Sequence, residues 1–317
     1  MIGNGTSYHS ALATEVIARR RARHGDADVI ALTAGELRHH PMSLGAGDAV
    51  VGISASGEFR DVVAVTGALR GRIPTVAVVH VPGSTLARTA DHVVVSAGGA
   101  SAVPVMTKTF ASTLTASLLL LGELLGDERA DEIAASLWGA AGDAQAAIAG
   151  AVAEVEALAA RLVTSEHIFV VGGGGAHPAA LEASLKLKEM ALVHAEGVET
   201  WEMETGAATL LGPTSTVVAL APVGPGREAA VALARHAAGW GAHVVEVAPD
   251  RSVDGGDLLR VPPTADEDLA ALTAVPPVAL LACVLARARG IDPDRPAWTE
   301  RYRSQGHTHV VGTEAAR

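Results

Sequence analysis

The sequence predicts an α/β protein built on parallel sheets, and three observations carry that prediction. Strand-like and helical runs alternate through the first part of the chain and again from about residue 165. The strand runs are continuous rather than alternating. Thr75-Val76-Ala77-Val78-Val79 is apolar or β-branched throughout, as in strands covered on both faces. The composition is 49% hydrophobic but only 3% aromatic, so the core is built from Ala, Val and Leu. A chain of 317 residues divides into two domains of ordinary size.

Taken in order, the chain starts almost inside a strand and turns at once through Gly3-Asn4-Gly5-Thr6-Ser7. A helix follows over about 8–24. Residues 29–33 and 49–54 read as strands. A turn, Ser54-Ala55-Ser56-Gly57-Glu58, leads from the second of these into a helix over 59–69. The run 74–81 is the next strand. Pro82-Gly83-Ser84 breaks it and caps a short helix. A strand over 92–96, a Gly98-Gly99 turn and a long helix over 105–125 complete the first block.

Residues 127–163 are rich in Ala and Glu, with helical spacing and no strand signal. The sequence predicts two helices there, broken at Gly139 to Asp143, as a linker between domains. The alternation then restarts. Strands are expected at 167–171, 216–221, 243–247 and 258–261, and helices at 178–193, 228–240 and 266–288, with Gly172-Gly173-Gly174-Gly175 as the first turn. Both halves share one layout, which points to an internal duplication. The polar tail 291–317 reads as an extended arm. The expected division is 1–126, a linker 127–164, 165–290 and the arm.

Several functions are disfavoured. A formal net charge of −11 with no basic stripe argues against nucleic acid and anionic membranes as partners. The one cysteine, Cys283, lies in an apolar helical run, so a disulfide framework and a cysteine-rich metal site are not expected. The N-terminus has neither a basic segment nor an apolar run, so no signal peptide is expected. The most apolar stretch, 110–125, is too short to span a bilayer and reads as a core helix. A reducing cytoplasm fits these features.

Two constellations carry chemistry. The turn 54–58 joins a strand to a helix through hydroxyls and glycine, where free N–H groups and the positive helix end favour an anion. A polar connection with a serine cap is the plainer reading. Glu182, Lys186 and Glu189 share one helix face by their spacing of four and three. One carboxylate would serve as a base while the ammonium stabilises developing negative charge, or the three form a solvated surface pair and neighbour. The remaining candidates are weaker. The glycine run 172–175 lacks the spaced dinucleotide fingerprint and its acidic partner, so no nicotinamide cofactor is expected. His307 and His309 lack a third metal ligand, so no metal site is expected. Trp201 reads as a loop anchor. Lys108 begins a helix, where a cation is disfavoured, and so invites a specific role.

These residues resemble the SIS (sugar isomerase) domain family, and within it the isomerase half of the glucosamine-6-phosphate synthases. Gly5-Thr6-Ser7-Tyr8 and Ser54-Ala55-Ser56-Gly57-Glu58 resemble its two phosphate turns. Val81-Pro82-Gly83-Ser84, Thr107-Lys108-Thr109-Phe110 and the helix from Leu181-Glu182 to Lys188-Glu189, followed by His194-Ala195-Glu196, are similar to further motifs in the same order. The resemblance implies two SIS subdomains, each a parallel sheet flanked by helices in a flavodoxin-like three-layer sandwich. It implies a homodimer with a shared active site and no metal or organic cofactor. It implies a sugar phosphate held by Gly5, Thr6, Ser7, Ser54, Ala55, Ser56 and Gly57. Glu189 would be the enolising base, with Lys186 and Glu182 beside it.

The departures from the pattern are equally specific. The family's Gln and Thr in the second phosphate turn are Ala55 and Phe59 here. Its ring-opening histidine falls on Thr205, which is a poor acid–base group near neutrality. Its tail lysine falls near Arg301, which keeps the charge but forms no Schiff base. The glutaminase half has no counterpart in this sequence, so ammonia, if used, would come from a separate partner. The expectation is therefore an isomerase of the aldose–ketose type, or a deaminase or deglycase, acting on a sugar or amino-sugar phosphate. The alternative is a non-catalytic phosphosugar sensor or regulatory subunit.

Overall fold

The computed structural model describes residues 1–99 and 103–300. They form two compact units, 1–134 and 135–296 in their main parts. In the first unit the elements run β1 (Ile2–Gly3), α1 (Thr6–Arg21), β2 (Leu32–Thr33), α2 (Ala34–His39), β3 (Val50–Ile53), α3 (Arg60–Leu69), β4 (Thr75–Val79), α4 (Thr85–Thr89), β5 (His92–Val95) and α5 (Lys108–Leu125). Helices α6 (Asp127–Ala151) and α7 (Val155–Leu162) follow. The second unit continues with β6 (His167–Gly172), α8 (Ala176–Ala191), β7 (His194–Glu199), α9 (Thr200–Thr205), β8 (Ser215–Leu220), α10 (Arg227–Gly239), β9 (His243–Ala248), β10 (Asp257–Arg260), α11 (Ala270–Thr273) and α12 (Val275–Ala288).

Each unit is one five-stranded sheet with every strand pair parallel. The orders are β2-β1-β3-β4-β5 and, read from the same end, β7-β6-β8-β9-β10. Both are the order second, first, third, fourth, fifth, the flavodoxin-like arrangement. The fold class read from the sequence is the one observed. The continuous apolar strands explain it. In the first sheet Val50, Ala77 and Val79 pack toward α2, α3 and α4, while Val51, Ile53 and Val78 pack toward α1 and α5. A strand with helices on both faces has no side to leave polar.

The structure corrects four local expectations. Helix α6 runs unbroken through Gly139 and Gly142 and stops only after Ala151. Two glycines cost about 1 kcal/mol each, too little to break a long Ala-rich helix. Helices α2 and α9 and strand β7 were not expected. Strand β7, His-Ala-Glu-Gly-Val-Glu, is a polar edge strand, so it carries no apolar signature. The 266–288 run is a short 3-10 turn (Glu267–Leu269) followed by α11 and α12, not one helix. That region, Glu267–Ala288, rather than 110–125, is long and apolar enough to cross a bilayer, but its most apolar window is 78% buried within the protein. It packs on α7 and α8 as a core element.

Candidate functional site

In each sheet the first and third strands are neighbours whose chains leave in opposite directions, which is where ligands settle in open α/β sheets. In the first unit β1 and β3 pair, with Ile2 opposite Gly52. Their carboxyl ends carry Gly5-Thr6-Ser7 and Ser54 to Gly57. Both hydroxyl turns expected from the sequence therefore lie side by side. Gly5, at φ 52°, caps α1, and Thr6 and Ser7 are buried in its first turn.

The Ser54 turn is tightly closed on itself. Gly57 N–H donates to Ser54 O at 3.0 Å and Ser54 Oγ at 3.1 Å, and Glu58 N–H donates to Ser56 Oγ at 3.3 Å. These amides are thus not the free donors that the sequence pattern suggested. Among the described residues, the N–H groups of Ala55 and Ser56 have no protein acceptor, and the two serine hydroxyl protons stay available. Gly57 is required: it sits at φ +67°, and a Cβ there would drive into the Ser84 side chain.

Two further residues hold this turn in place, and sequence reasoning assigned neither a role. The Glu58 carboxylate accepts from Thr85 N–H at 2.8 Å and Thr85 Oγ1 at 2.7 Å, clamping the turn to the start of α4. His80, at the end of β4, donates its backbone N–H to Ala55 O at 2.9 Å. Its ring spans from Gly99 O (Nε2, 2.6 Å) to Ser96 Oγ (Nδ1, 3.2 Å), so Nε2–H donates to the carbonyl. The signal for the first was a carboxylate four residues into a serine turn. The second had none. Lys108 lies exposed at the first position of α5, near Gly99.

The second unit holds the charged constellation. Helix α8 opens at the Gly175 N-cap and packs against β6, β7 and α12. Its face carries Glu182 and Lys186, exposed by 0% and 1%, and Glu189, exposed by 27%. Lys186 Nζ lies 3.1 Å from Glu182 Oε1 and 2.7 Å from Glu189 Oε2. The solvated-face reading is thereby overturned, since a lysine and a glutamate are fully enclosed. Burial pulls the Lys186 ammonium down, but the attraction of Glu182 and Glu189 outweighs it, and its pKa lies above the ordinary 10.5. Glu189 alone of the three keeps a path to solvent, with one oxygen fixed by the ammonium.

Two further expected residues lie on α9. Thr205 is exposed at the end of α9, and its hydroxyl donates back to Glu202 O at 2.8 Å. Trp201 is exposed on the same helix rather than packed on the body. Arg301, His307 and His309 lie outside the described residues.

Two copies of one sheet topology, with a serine–glycine turn at the first crossover point and a carboxylate–lysine–carboxylate helix in the second unit, define a tandem α/β chain of one class. The chain belongs to the SIS domain family, whose model matches residues 1–122 and 161–283. It is 30% identical over 299 residues to the glutamine–fructose-6-phosphate aminotransferase (isomerizing) of Methanothermobacter thermautotrophicus, covering 92% of this chain and 49% of that relative. It is 32% identical over 309 residues to the enzyme of the same name from Pyrococcus horikoshii, covering 93% and 49%. The chain thus spans about half the length of these relatives. The C-terminal domain of glucosamine-fructose-6-phosphate aminotransferase from Francisella tularensis shares the fold, with a TM-score of 0.84 at 22% identity over 92% of this chain and 84% of that one. So does glucosamine-6-phosphate deaminase from Thermotoga maritima, with a TM-score of 0.71 at 22% identity over 93% and 87%. The family resemblance read from the motifs is borne out.

Two stability predictions follow from these geometries. Lys186→Met leaves buried Glu182 without its ammonium and is expected to cost about 3–5 kcal/mol in urea unfolding, with Glu182→Gln/Lys186→Met recovering most of it. Because the folded pKa of Lys186 is raised, its contribution is full below pH 10.5 and is lost as pH rises through the folded value. The gap between wild type and Lys186→Met is expected to hold from neutrality to that point and to shrink above it. Gly57→Ala is expected to cost about 2 kcal/mol through its left-handed backbone and the Ser84 collision, read as a lowered Tm.

Proposed function

We propose that the chain is an enzyme acting on a sugar or amino-sugar phosphate by enolisation, either an aldose–ketose isomerase or a deaminase or deglycase. The observation that carries this reading is Glu189, a carboxylate with one oxygen on a buried ammonium whose pKa is raised and a side chain still open to solvent. The Ser54 turn supplies the phosphate end of the reading. The hydroxyls of Ser7, Ser54 and Ser56 and the amides of Ala55 and Ser56 bind the phosphate oxygens.

In the isomerase form Glu189 takes the proton from the carbon beside the carbonyl, giving an enediol, and returns it to the neighbouring carbon. The reaction is balanced without a co-reactant. In the amine-releasing form the enol-amine tautomerises to an imine, water adds to that carbon, and ammonia leaves. Lys186 fixes Glu189 in place and offsets the negative charge that develops on the substrate oxygen. Glu182 keeps Lys186 charged. Arg301 and Lys108 are proposed to contact the substrate, and Thr205 takes no proton. The chain is proposed to work in the cytoplasm as a homodimer with a shared active site, with any ammonia supplied by a separate protein.

One observation favours the second reading, a phosphosugar sensor. Thr205 stands where the resemblance places an acid–base histidine, and its hydroxyl is turned onto its own helix. Proton exchange decides between the two. With fructose 6-phosphate and glucosamine 6-phosphate in deuterated water, wild type is expected to exchange the C2 proton of glucosamine 6-phosphate and to wash deuterium into fructose 6-phosphate. Glu189→Gln is expected to lose at least a hundredfold in rate while still binding. Saturable binding of a phosphosugar panel with no exchange in wild type establishes the sensor. Ser54→Ala/Ser56→Ala is expected to weaken phosphosugar binding at least tenfold by calorimetry, at about 1.4 kcal/mol per tenfold.

A further inference from the structure

The two units repeat one strand order, so each feature of the first crossover point has a counterpart in the second. The ends of β1 and β3 correspond to the ends of β6 and β8. Where the first unit carries the Ser7 and Ser54 turns, the second carries Gly172 to Gly175 and Val223 to Gly226. A carboxylate lies between these two loops. Buried Glu267 accepts from Gly175 N–H at Oε1 (3.1 Å) and from Gly226 N–H at Oε2 (2.6 Å).

Gly175 and Gly226 are the N-caps of α8 and α10, which are 16 and 13 residues long. The carboxylate therefore rests at two positive helix ends. Its place is shaped around it: a Cβ on Gly174 or on Gly224 would run into the Glu267 side chain. The segment is anchored as well, since Glu267 N–H donates to Val223 O at 2.9 Å and Val223 N–H donates to Ala265 O at 3.3 Å. A second buried polar group lies against the same glycine loop. Thr200 is 1% exposed, its Oγ1 has no protein partner, and it lies 3.4 Å from the Cβ position of Gly173, as does Glu199 Oε1.

We propose that Glu267 is a resident anion, filling in the second unit the place that corresponds to the phosphate place of the first, and so confining sugar phosphate to one site per chain. The word phosphate here rests on the reading of the Ser54 turn given above. An incoming phosphate at the second crossover point meets a buried negative charge, glycine walls with no spare volume and amides already bonded. The duplicated fold thus keeps one ligand site of its two.

The test is inorganic phosphate binding, by calorimetry and by the dependence of Tm on phosphate, in wild type and Glu267→Ala, each with and without Ser54→Ala/Ser56→Ala. Removing the carboxylate is expected to lower Tm without phosphate. It is expected to add one saturable phosphate per chain in both backgrounds and to make Tm climb with phosphate in the Ser54→Ala/Ser56→Ala chain. No added phosphate in either background overturns the proposal. An added phosphate in Glu267→Ala with none in wild type sustains it and removes the phosphate reading of the Ser54 turn instead. If Glu267→Ala does not fold, Glu267→Gln decides. Its amide fills the place but offers the second N–H a donor, so a clear fall in Tm and no phosphate gain are expected. A Tm equal to that of wild type overturns the proposal.

Discussion

The Lys186 ammonium, held between Glu182 and Glu189, is the interaction on which the second unit's chemistry depends. Enclosing a charge costs several kcal/mol per ion, recovered only when a partner is close and well placed. Helix α8 meets that condition within about two turns, with contacts of 3.1 and 2.7 Å. The consequence is asymmetric. Glu182 is sealed and lies 3.1 Å from the lysine. Glu189 has one oxygen on the ammonium and a side chain 27% exposed, the arrangement the proposed proton abstraction requires. A lysine kept charged in this way has no free lone pair, which makes it an electrostatic group rather than a nucleophile.

The crossover points of the two sheets show how one topology handles negative charge in two ways. In the first unit the closed Ser54 turn, clamped by Glu58 onto Thr85 and braced by His80 through Ala55 O, presents hydroxyls on a fixed backbone. In the second, two glycine loops surround the carboxylate of Glu267. Both satisfy helix-end donors that would otherwise be left unpaired. One leaves donors for a ligand, and the other spends them within the chain.

The fold was legible because its signals are physical and local. Runs such as Val76 to Val79 have no polar alternation, so they belong in sheets covered on both faces, and the units' common layout fixed their repetition. What could not be read was polar or short. Strand β7 is held by its ladder to β6 rather than by its own apolar side chains. The break in the α6 region was misplaced because two glycines weaken a helix less than a run of alanines supports it. At the site, the i, i+4, i+7 spacing of Glu182, Lys186 and Glu189 placed them together, but spacing cannot distinguish a solvated face from a sealed one. That distinction came from α12 and the sheet packing over the helix. Glu267 escaped notice because its partners lie 41 and 92 residues away in the chain.

The central claim is that Lys186 stays protonated and acts as a fixed charge. Nitrogen-15 NMR of the Lys186 side chain, followed from pH 6 to 12 and assigned with Lys186→Arg, tests it directly. The account predicts a charged Nζ at every pH up to the ordinary 10.5, titrating only above it, and titrating lower in Glu182→Gln. A Nζ that loses its proton near neutrality in wild type would make Lys186 a proton carrier or nucleophile and contradict the account.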